Sequence, residues 1–295
     1  MKKIRKQIQA WLPKLIGKKL EWQFLLFPKS ALNTAFVLFC TPRKGKVREA
    51  YRNFLDKAKK EEVKVLPDVT LQTYHWPGKG ETVLLIHGWE SNTARWRTLI
   101  RQLQKEDYNI YAFDAPGHGN SSGKILNVIL YEKCLRYLVQ RYQPETIVGH
   151  SIGGMTMIYN QFLKSTPEVE KLVVLGAPSE LKAFVDNFQS ILGLSNRFMK
   201  AWNAYFKKRF GFYFEEFSIS GFAKGISQSG LLIHDTLDAI VPVRASEAIH
   251  HNWKNSIFVR TEGFGHSLSH KNVDASILQF LKTPNPKLTY GNNGS

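Results

Sequence analysis

The segment Thr146-Ile147-Val148-Gly149-His150-Ser151-Ile152-Gly153 joins a short apolar run to the pattern Gly-x-Ser-x-Gly. The apolar run predicts a buried strand, and residues 153–164 predict a helix. A serine at such a strand-to-helix turn is held in a strained backbone conformation, and the glycines let neighbouring backbone pass closely. The N–H groups and positive dipole of the helix N-terminus can then stabilise a developing oxyanion. The segment therefore predicts Ser151 as a nucleophile.

A serine hydroxyl becomes an effective nucleophile only when a base takes its proton, and the candidate base is one of nine histidines. We favour His266, because it follows the last predicted strand and precedes the last predicted helix, within reach of the strand ends. Structural roles suit six of the others better: His87 and His150 adjoin motif glycines, His118 lies in a turn, His250 and His251 end a helix, and His270 follows the loop.

The base needs a carboxylate that fixes its tautomer and stabilises the imidazolium. Asp235 and Asp238 both follow the predicted strand 230–234. Asp235 lies nearer the strand and could instead cap the loop. Either residue gives the chain order serine, acid, histidine, which differs from the order in other common triads.

Strands and helices alternate from residue 82 onward. Short apolar runs predict strands at 82–86, 109–113, 146–148, 171–175, 230–234 and 256–259. Helical patterns occur at 96–105, 125–142, 153–164, 245–250 and 273–281. Repeated units of this kind predict an α/β fold with a mostly parallel sheet covered on both faces. Residues 63–76 predict further extended strands, and residues 31–60 predict helix interrupted at Thr41-Pro42.

The segment 178–230 interrupts this alternation, because it is rich in aromatic residues and has no convincing strand. A connection of that length has its own structure or a role. We interpret it as a helical insertion over the carboxyl ends of the strands, where open α/β sheets bind ligands. The aromatic residues suggest a hydrophobic substrate portion, although we expect most of them to form the core of the insertion itself.

Five segments resemble the α/β-hydrolase superfamily, with the features of a serine esterase- or lipase-like member. They are VLLIHGW at 83–89, DAPGHGNS at 114–121, GHSIG at 149–153, DAIVP at 238–242 and GH at 265–266. The resemblance runs from about residue 82 to residue 281 and does not cover the N-terminal eighty residues. Several such segments in the right order are specific for the superfamily and poorly specific for the substrate.

The resemblance implies an α/β-hydrolase fold, with a mostly parallel central sheet flanked by helices and a helical cap at 178–230. It favours Asp238 over Asp235 as the triad acid. It also implies that the backbone N–H groups of Trp89 and Ile152 form the oxyanion hole. Residues 114–121 match a structural loop of the family and receive no catalytic role.

The expected activity is hydrolysis of carboxylic esters by a serine hydrolase, on small or medium lipophilic substrates and without a metal or organic cofactor. An acyltransferase or a thioesterase with the same triad stays open as an alternative. An alternative of another class is a non-catalytic, membrane-associated binding protein on a hydrolase scaffold, against which the complete triad argues.

The net charge of +17 is concentrated at the N-terminus, because residues 1–60 contain 16 Lys or Arg and three acids. A uniformly basic surface would indicate nucleic acid, whereas a basic end favours a local contact with anionic lipid. Apolar residues of 1–20 recur at helical spacing, and Pro13 and Gly17 predict a kink. Two interpretations stay open: an interfacial amphipathic helix, or a helix packed on its own catalytic domain.

These patterns predict a basic helical N-terminal extension at 1–62, a hydrolase core at 63–177 and 231–284, the cap at 178–230 and a flexible tail at 285–295. The N-terminus lacks a standard signal peptide, because lysines interrupt its apolar run. Cys40 and Cys134 are expected to be free, buried thiols in a reduced compartment. We therefore expect a cytoplasmic protein, with peripheral contact at the inner membrane face through residues 1–20 as the open alternative.

Overall fold

The computed structural model describes residues 2–283, with side chains from Trp11 onward. These residues divide into two compact units. The smaller unit combines residues 2–41 with 180–218, and the larger unit combines residues 42–179 with 219–283. The predicted tail at 285–295 lies outside the described residues.

The secondary structure follows the chain in this order. The strands are β1 Lys59–Leu66, β2 Val69–Trp76, β3 Thr82–Ile86, β4 Asn109–Phe113, β5 Thr146–His150, β6 Lys171–Leu175, β7 Ser229–Asp235 and β8 Ser256–Thr261. The helices are α1 Lys2–Leu26, α2 Pro28–Cys40, α3 Arg52–Leu55, α4 Arg97–Lys105, α5 Val128–Tyr142, α6 Ile152–Leu163, α7 Leu181–Leu192, α8 Asn196–Phe210, α9 Ile219–Phe222, α10 Arg244–Asn252 and α11 Lys271–Lys282. Short 3₁₀ turns lie at Glu49–Tyr51, Thr93–Trp96, Phe214–Glu216 and Ala223–Gly225.

The larger unit is built around an eight-stranded sheet with the order β1-β2-β4-β3-β5-β6-β7-β8. The β1–β2 and β2–β4 pairs are antiparallel, and the remaining pairs are parallel. Strands β5 and β6 are buried along their whole length, as expected for parallel strands covered on both faces. The predicted mostly parallel sheet flanked by helices is therefore confirmed. Because parallel strands end at one edge, the segments that follow β5, β7 and β8 leave the sheet on the same side.

The smaller unit has an aromatic core formed by α1, α2, α7 and α8. The Phe36 and Phe206 rings pack edge to face with centroids 5.8 Å apart. Trp202 is fully buried, and its ring contacts those of Phe39 and Phe188. The expectation that most aromatic residues of the insertion form its own core is met only in part, because five of the twelve are buried: Phe198, Trp202, Phe206, Phe214 and Phe217.

The N-terminal residues differ from the predicted organisation. Residues 2–41 belong with residues 180–218 in one unit, whereas residues 42–62 and 219–230 belong to the larger unit. Helix α1 continues through Pro13 to Leu26. The helix predicted for 31–60 ends at Cys40, and Lys59 already begins β1. The physical reason is pairing: β1 aligns with β2 in antiparallel register, with Lys59 opposite His75.

Cys40 and Cys134 are free and buried, as predicted, and burial raises the pKa of each thiol to about 12. Within residues 2–283, every helix is too short or too polar to serve as a membrane span.

Candidate active site

Ser151 lies in the one-residue turn between β5 and α6. Its backbone adopts φ 52° and ψ −122°, a strained conformation for a residue with a side chain. The Ser151 N–H donates to the carbonyl oxygen of Leu175 in the neighbouring strand β6 at 2.8 Å. The turn thus places the serine at the carboxyl end of a central strand, as the Gly-x-Ser-x-Gly pattern predicts.

The glycines of the pattern are required by close backbone approach. A Cβ atom on Gly153 would lie 2.6 Å from the carbonyl oxygen of Ile86 and 2.7 Å from that of His87. A Cβ atom on Gly149 would lie 2.8 Å from the amide nitrogen of Gly154. Real Cβ atoms do not approach backbone so closely, so any larger residue would push α6 away from β3. The spacing of the pattern follows from this packing.

The structure brings Ser151, His266 and Asp238 together in a hydrogen-bonded series. The Nε2 atom of His266 lies 3.1 Å from Ser151 Oγ, and its Nδ1 atom lies 2.7 Å from Asp238 Oδ2. The other carboxylate oxygen of Asp238 accepts from the N–H groups of Ile240 and Val241 at 2.8 and 2.9 Å. The carboxylate side chain is fully buried. This geometry can transfer the serine proton to the imidazole while the carboxylate fixes the tautomer.

Asp235, the other candidate acid, instead shapes the loop that carries His266. One of its oxygens accepts from the Thr261 hydroxyl at 2.9 Å and the Phe264 N–H at 2.8 Å, and the other accepts from the Leu237 N–H at 3.1 Å. Burial acts to raise the pKa of Asp235, but these hydrogen bonds outweigh it and lower the pKa below its usual range.

Two further hydrogen bonds stabilise the His266 loop. The Nε2 atom of His150 lies 2.8 Å from the carbonyl oxygen of His266. A guanidinium nitrogen of Arg95 donates to the carbonyl oxygen of Ser267 at 2.8 Å. Together with Asp235, these residues connect the loop to β5, to β7 and to the 3₁₀ turn at Thr93–Trp96. The position of His266 is therefore determined by contacts that the motif pattern does not reveal.

Of the two predicted oxyanion donors, Ile152 directly follows Ser151 and Trp89 directly follows Gly88. Ile152 is the first residue of α6, where a helix N–H has no acceptor within the helix. Gly88, which precedes Trp89, approaches Ser151 so closely that a Cβ atom there would lie 3.0 Å from Ser151 Cβ and 2.6 Å from His150 Nδ1. The backbone at Gly88 and the helix N-terminus thus border Ser151, where N–H groups can act as donors to an oxyanion.

His87 supports the turn that contains Gly88. Its Nε2 atom accepts from the Ala115 N–H at 2.9 Å, and its Nδ1 atom lies 2.7 Å from the Gly88 carbonyl oxygen. Burial, with a smaller effect of the neighbouring His118, lowers the pKa of His87 to about 3. The His87 ring therefore remains neutral, and its two hydrogen bonds connect Gly88 with Ala115.

Asp114 organises the loop 114–121. Its buried carboxylate accepts from the Thr93 N–H at 2.8 Å, the Asn120 N–H at 2.9 Å and the Tyr74 hydroxyl at 2.9 Å. These contacts agree with the structural role that the family resemblance implies for this loop.

His234 is a positioning residue that sequence reasoning missed. It lies fully buried in β7, one residue before the strand ends, with Nε2 2.8 Å from the Val241 carbonyl oxygen and 3.2 Å from Asp238 Oδ2. Its Nδ1 atom lies 2.6 Å from the Ser246 hydroxyl. The sequence offered one signal for this role, because His234 ends the predicted strand 230–234 and precedes Asp238 by four residues.

The comparisons with known proteins agree with this architecture. The family described as the alpha/beta hydrolase fold matches residues 81–208. A serine hydrolase-like protein of Danio rerio is 35% identical over 105 residues, which are 34% of this chain and 31% of that protein. A putative esterase/lipase 2 of Mycoplasma pneumoniae is 24% identical over 230 residues, 64% of this chain and 83% of that protein. The match with the Danio rerio protein thus spans about a third of its length.

A solved structure gives the same result for the fold. The crystal structure of a bromoperoxidase from Bacillus anthracis superposes with a TM-score of 0.61 over 76% of this chain and 100% of its own, at 21% identity. The chain therefore has the α/β-hydrolase fold.

Proposed function

We propose that this chain is a serine hydrolase that cleaves carboxylic esters through an acyl-enzyme. The observation that carries the proposal is the continuous series from Ser151 Oγ to His266 and on to the buried Asp238 carboxylate. Relatives described as a serine hydrolase-like protein and a putative esterase/lipase support the same class of reaction.

The proposed reaction begins when Ser151 Oγ attacks the ester carbonyl carbon and His266 Nε2 takes the hydroxyl proton. Asp238 accepts from the Nδ1–H group and stabilises the imidazolium. The N–H groups of Trp89 and Ile152 bind the oxyanion of the tetrahedral intermediate. As the intermediate collapses, the imidazolium gives its proton to the alcohol oxygen, and the alcohol leaves. A water molecule, deprotonated by His266, then hydrolyses the acyl-serine.

The proposed substrates are small or medium lipophilic esters. The support is the relative described as an esterase/lipase, together with the aromatic content of residues 178–230. A series of p-nitrophenyl esters of increasing acyl length measures this preference directly. We expect turnover of short and medium chains.

The test compares the wild type with Ser151→Ala and with Ser269→Ala, a matched substitution of an exposed serine in the same region. We expect Ser151→Ala to lose ester turnover on the order of 10⁶-fold, as removal of a triad nucleophile does elsewhere. Ser269→Ala should keep wild-type turnover. A fluorophosphonate probe should label the wild type and Ser269→Ala but not Ser151→Ala.

Equal turnover by Ser151→Ala and the wild type would overturn the proposal. Failure of the probe to label the wild type would favour a non-catalytic binding protein on this scaffold. Transfer of the acyl group to an added alcohol or thiol in preference to water would indicate an acyltransferase. Faster cleavage of thioesters than of oxygen esters would indicate a thioesterase.

A further inference from the structure

Helix α1 has apolar side chains on two opposite faces, and one of these faces packs within the smaller unit. Leu20 and Phe24 lie on this inner face and are buried. Gly17 approaches α7 so closely that a Cβ atom there would lie 1.9 Å from the Leu192 carbonyl oxygen. The rings of Phe24 and Phe198 pack with centroids 5.0 Å apart. These contacts account for one face of the helix.

The opposite face, here called the outer face, consists of Trp11, Leu15, Trp22 and Leu26. Their spacing of four, seven and four residues puts them on one side of the helix. Their exposed fractions are 67%, 57%, 70% and 67%, in that order. Other exposed apolar residues lie beside them: Leu12, Leu25 and Phe27. A contiguous exposed set of large apolar side chains indicates an interaction site.

The charge around the outer face is strongly positive. Residues 2–29 contain eight Lys or Arg and a single acid, Glu21. The Glu21 carboxylate accepts from the N–H of Ser195, the N-cap residue of α8, at 2.6 Å, so it is engaged within its own unit. Lys18 and Lys19 are exposed between the two tryptophans. The outer face therefore combines large apolar groups with uncompensated positive charge.

We propose that the outer face of α1 docks on an anionic lipid surface, with the helix lying in the plane of the interface. Tryptophan rings favour the level of lipid headgroups, and lysines can bury their methylene stems while the ammonium groups reach phosphate. Binding of this kind increases with buried apolar area and with attraction to anionic lipid. From Trp11 to Leu26 the contact would extend about 22 Å along the helix.

The lysines favour lipid over a protein partner as the occupant. The centres of protein–protein interfaces are depleted of lysine, because a buried ammonium group needs a partner there. Lys18 lies in the middle of the outer face, four residues before Trp22. An anionic headgroup layer accommodates such a residue, because the methylene stem can contact apolar lipid while the ammonium group contacts the negative headgroups.

The test measures sedimentation of the full chain with vesicles of phosphatidylcholine alone and of phosphatidylcholine mixed with phosphatidylserine. We expect binding to the mixed vesicles that falls as salt is added. The variant Trp11→Ser/Trp22→Ser/Leu26→Ser should lose most of this binding, by about 100-fold or more in apparent affinity. The matched control is Leu163→Ser, because Leu163 is an exposed leucine of α6 in the larger unit.

A second pair of variants tests the charge without changing apolar area. Lys18→Gln/Lys19→Gln should weaken binding to the mixed vesicles by about 25-fold, or about fivefold for each lysine. The matched control, Lys133→Gln/Lys164→Gln, removes two exposed lysines of the larger unit and should bind as the wild type does. Every variant changes exposed residues outside the triad, so turnover of a soluble short ester should stay at the wild-type level.

Four results would overturn the proposal. One is a wild-type chain that binds neither vesicle. Another is binding that the triple serine variant retains in full. A third is binding that is equal on neutral and mixed vesicles. The fourth is a concentration-dependent dimer that dissociates in the triple serine variant, which would assign the outer face to a second copy of the chain.

Discussion

The Nε2 atom of His150 lies 2.8 Å from the backbone carbonyl oxygen of His266. Because a carbonyl oxygen only accepts, Nε2 carries the hydrogen. Burial and the nearby charge of Arg95 lower the pKa of His150 well below its usual range, so the ring remains neutral. His150, which directly precedes the proposed nucleophile, thus donates to the backbone of His266, the proposed base. This hydrogen bond links the position of His266 to the turn that contains Ser151.

This contact predicts that His150→Phe lowers kcat by about 10- to 100-fold, as loss of a supporting hydrogen bond does at other sites. KM should stay nearly unchanged, because the substituted ring positions His266 and does not bind substrate. His150→Gln keeps an N–H donor and should recover part of the loss. Kinetics on a p-nitrophenyl ester measure both parameters. His251→Phe changes an exposed histidine and serves as the control. Equal kcat in His150→Phe and the wild type would contradict the positioning role.

The contrast between Asp238 and Asp235 predicts two different defects. Asp238→Asn should reduce kcat by about 10⁴-fold, because its amide would donate to His266 Nδ1 and select the wrong tautomer. Asp235→Asn should lower the free energy of unfolding by about 1–3 kcal/mol, because an amide nitrogen cannot accept the hydrogen bonds that the carboxylate receives. Urea unfolding and kcat, measured on both variants, separate the effects. A larger loss of kcat in Asp235→Asn than in Asp238→Asn would make Asp235 the acid.

Local patterns predicted the elements that position the site. The strands β4 and β6 begin and end at the predicted residues, because each is one apolar run that is buried in the sheet. The turn at Ser151 follows from a pattern whose glycines are required by packing. The order of the segments then brought Ser151, Asp238 and His266 to one edge of the sheet, and the structure places them within hydrogen-bonding distance.

The features that were missed depend on contacts between distant residues. Strand β1 begins with four charged residues, Lys59-Lys60-Glu61-Glu62. Their sequence does not predict a strand, and they form one because they pair with β2. Glu21 accepts from Ser195, which is 174 residues away, so nothing local associates α1 with residues 180–218. The rings of His150 and His234 form hydrogen bonds with backbone carbonyl oxygens, and the sequence cannot indicate these partners because every residue has such an oxygen.

The buried histidines predict a loss of stability in weak acid. Burial lowers the pKa values of His87 and His150, so the folded chain binds fewer protons at these rings than the unfolded chain does near pH 6. The free energy of unfolding should therefore be level above about pH 7 and decrease as the pH falls below about 6.5, the ordinary histidine value. Each of the two rings contributes a slope of up to about 1.4 kcal/mol per pH unit.

Urea unfolding at about pH 7, 6 and 5 measures this slope in a range that lies above the ordinary pKa values of Asp and Glu. His87→Gln removes one titrating ring while retaining a group that can accept from Ala115, so its slope should be shallower than that of the wild type by up to about 1.4 kcal/mol per pH unit. His251→Gln removes an exposed histidine and should keep the wild-type slope. A wild type that gains stability between pH 7 and pH 5 would reverse the predicted sign, because the folded state would then bind more protons than the unfolded state.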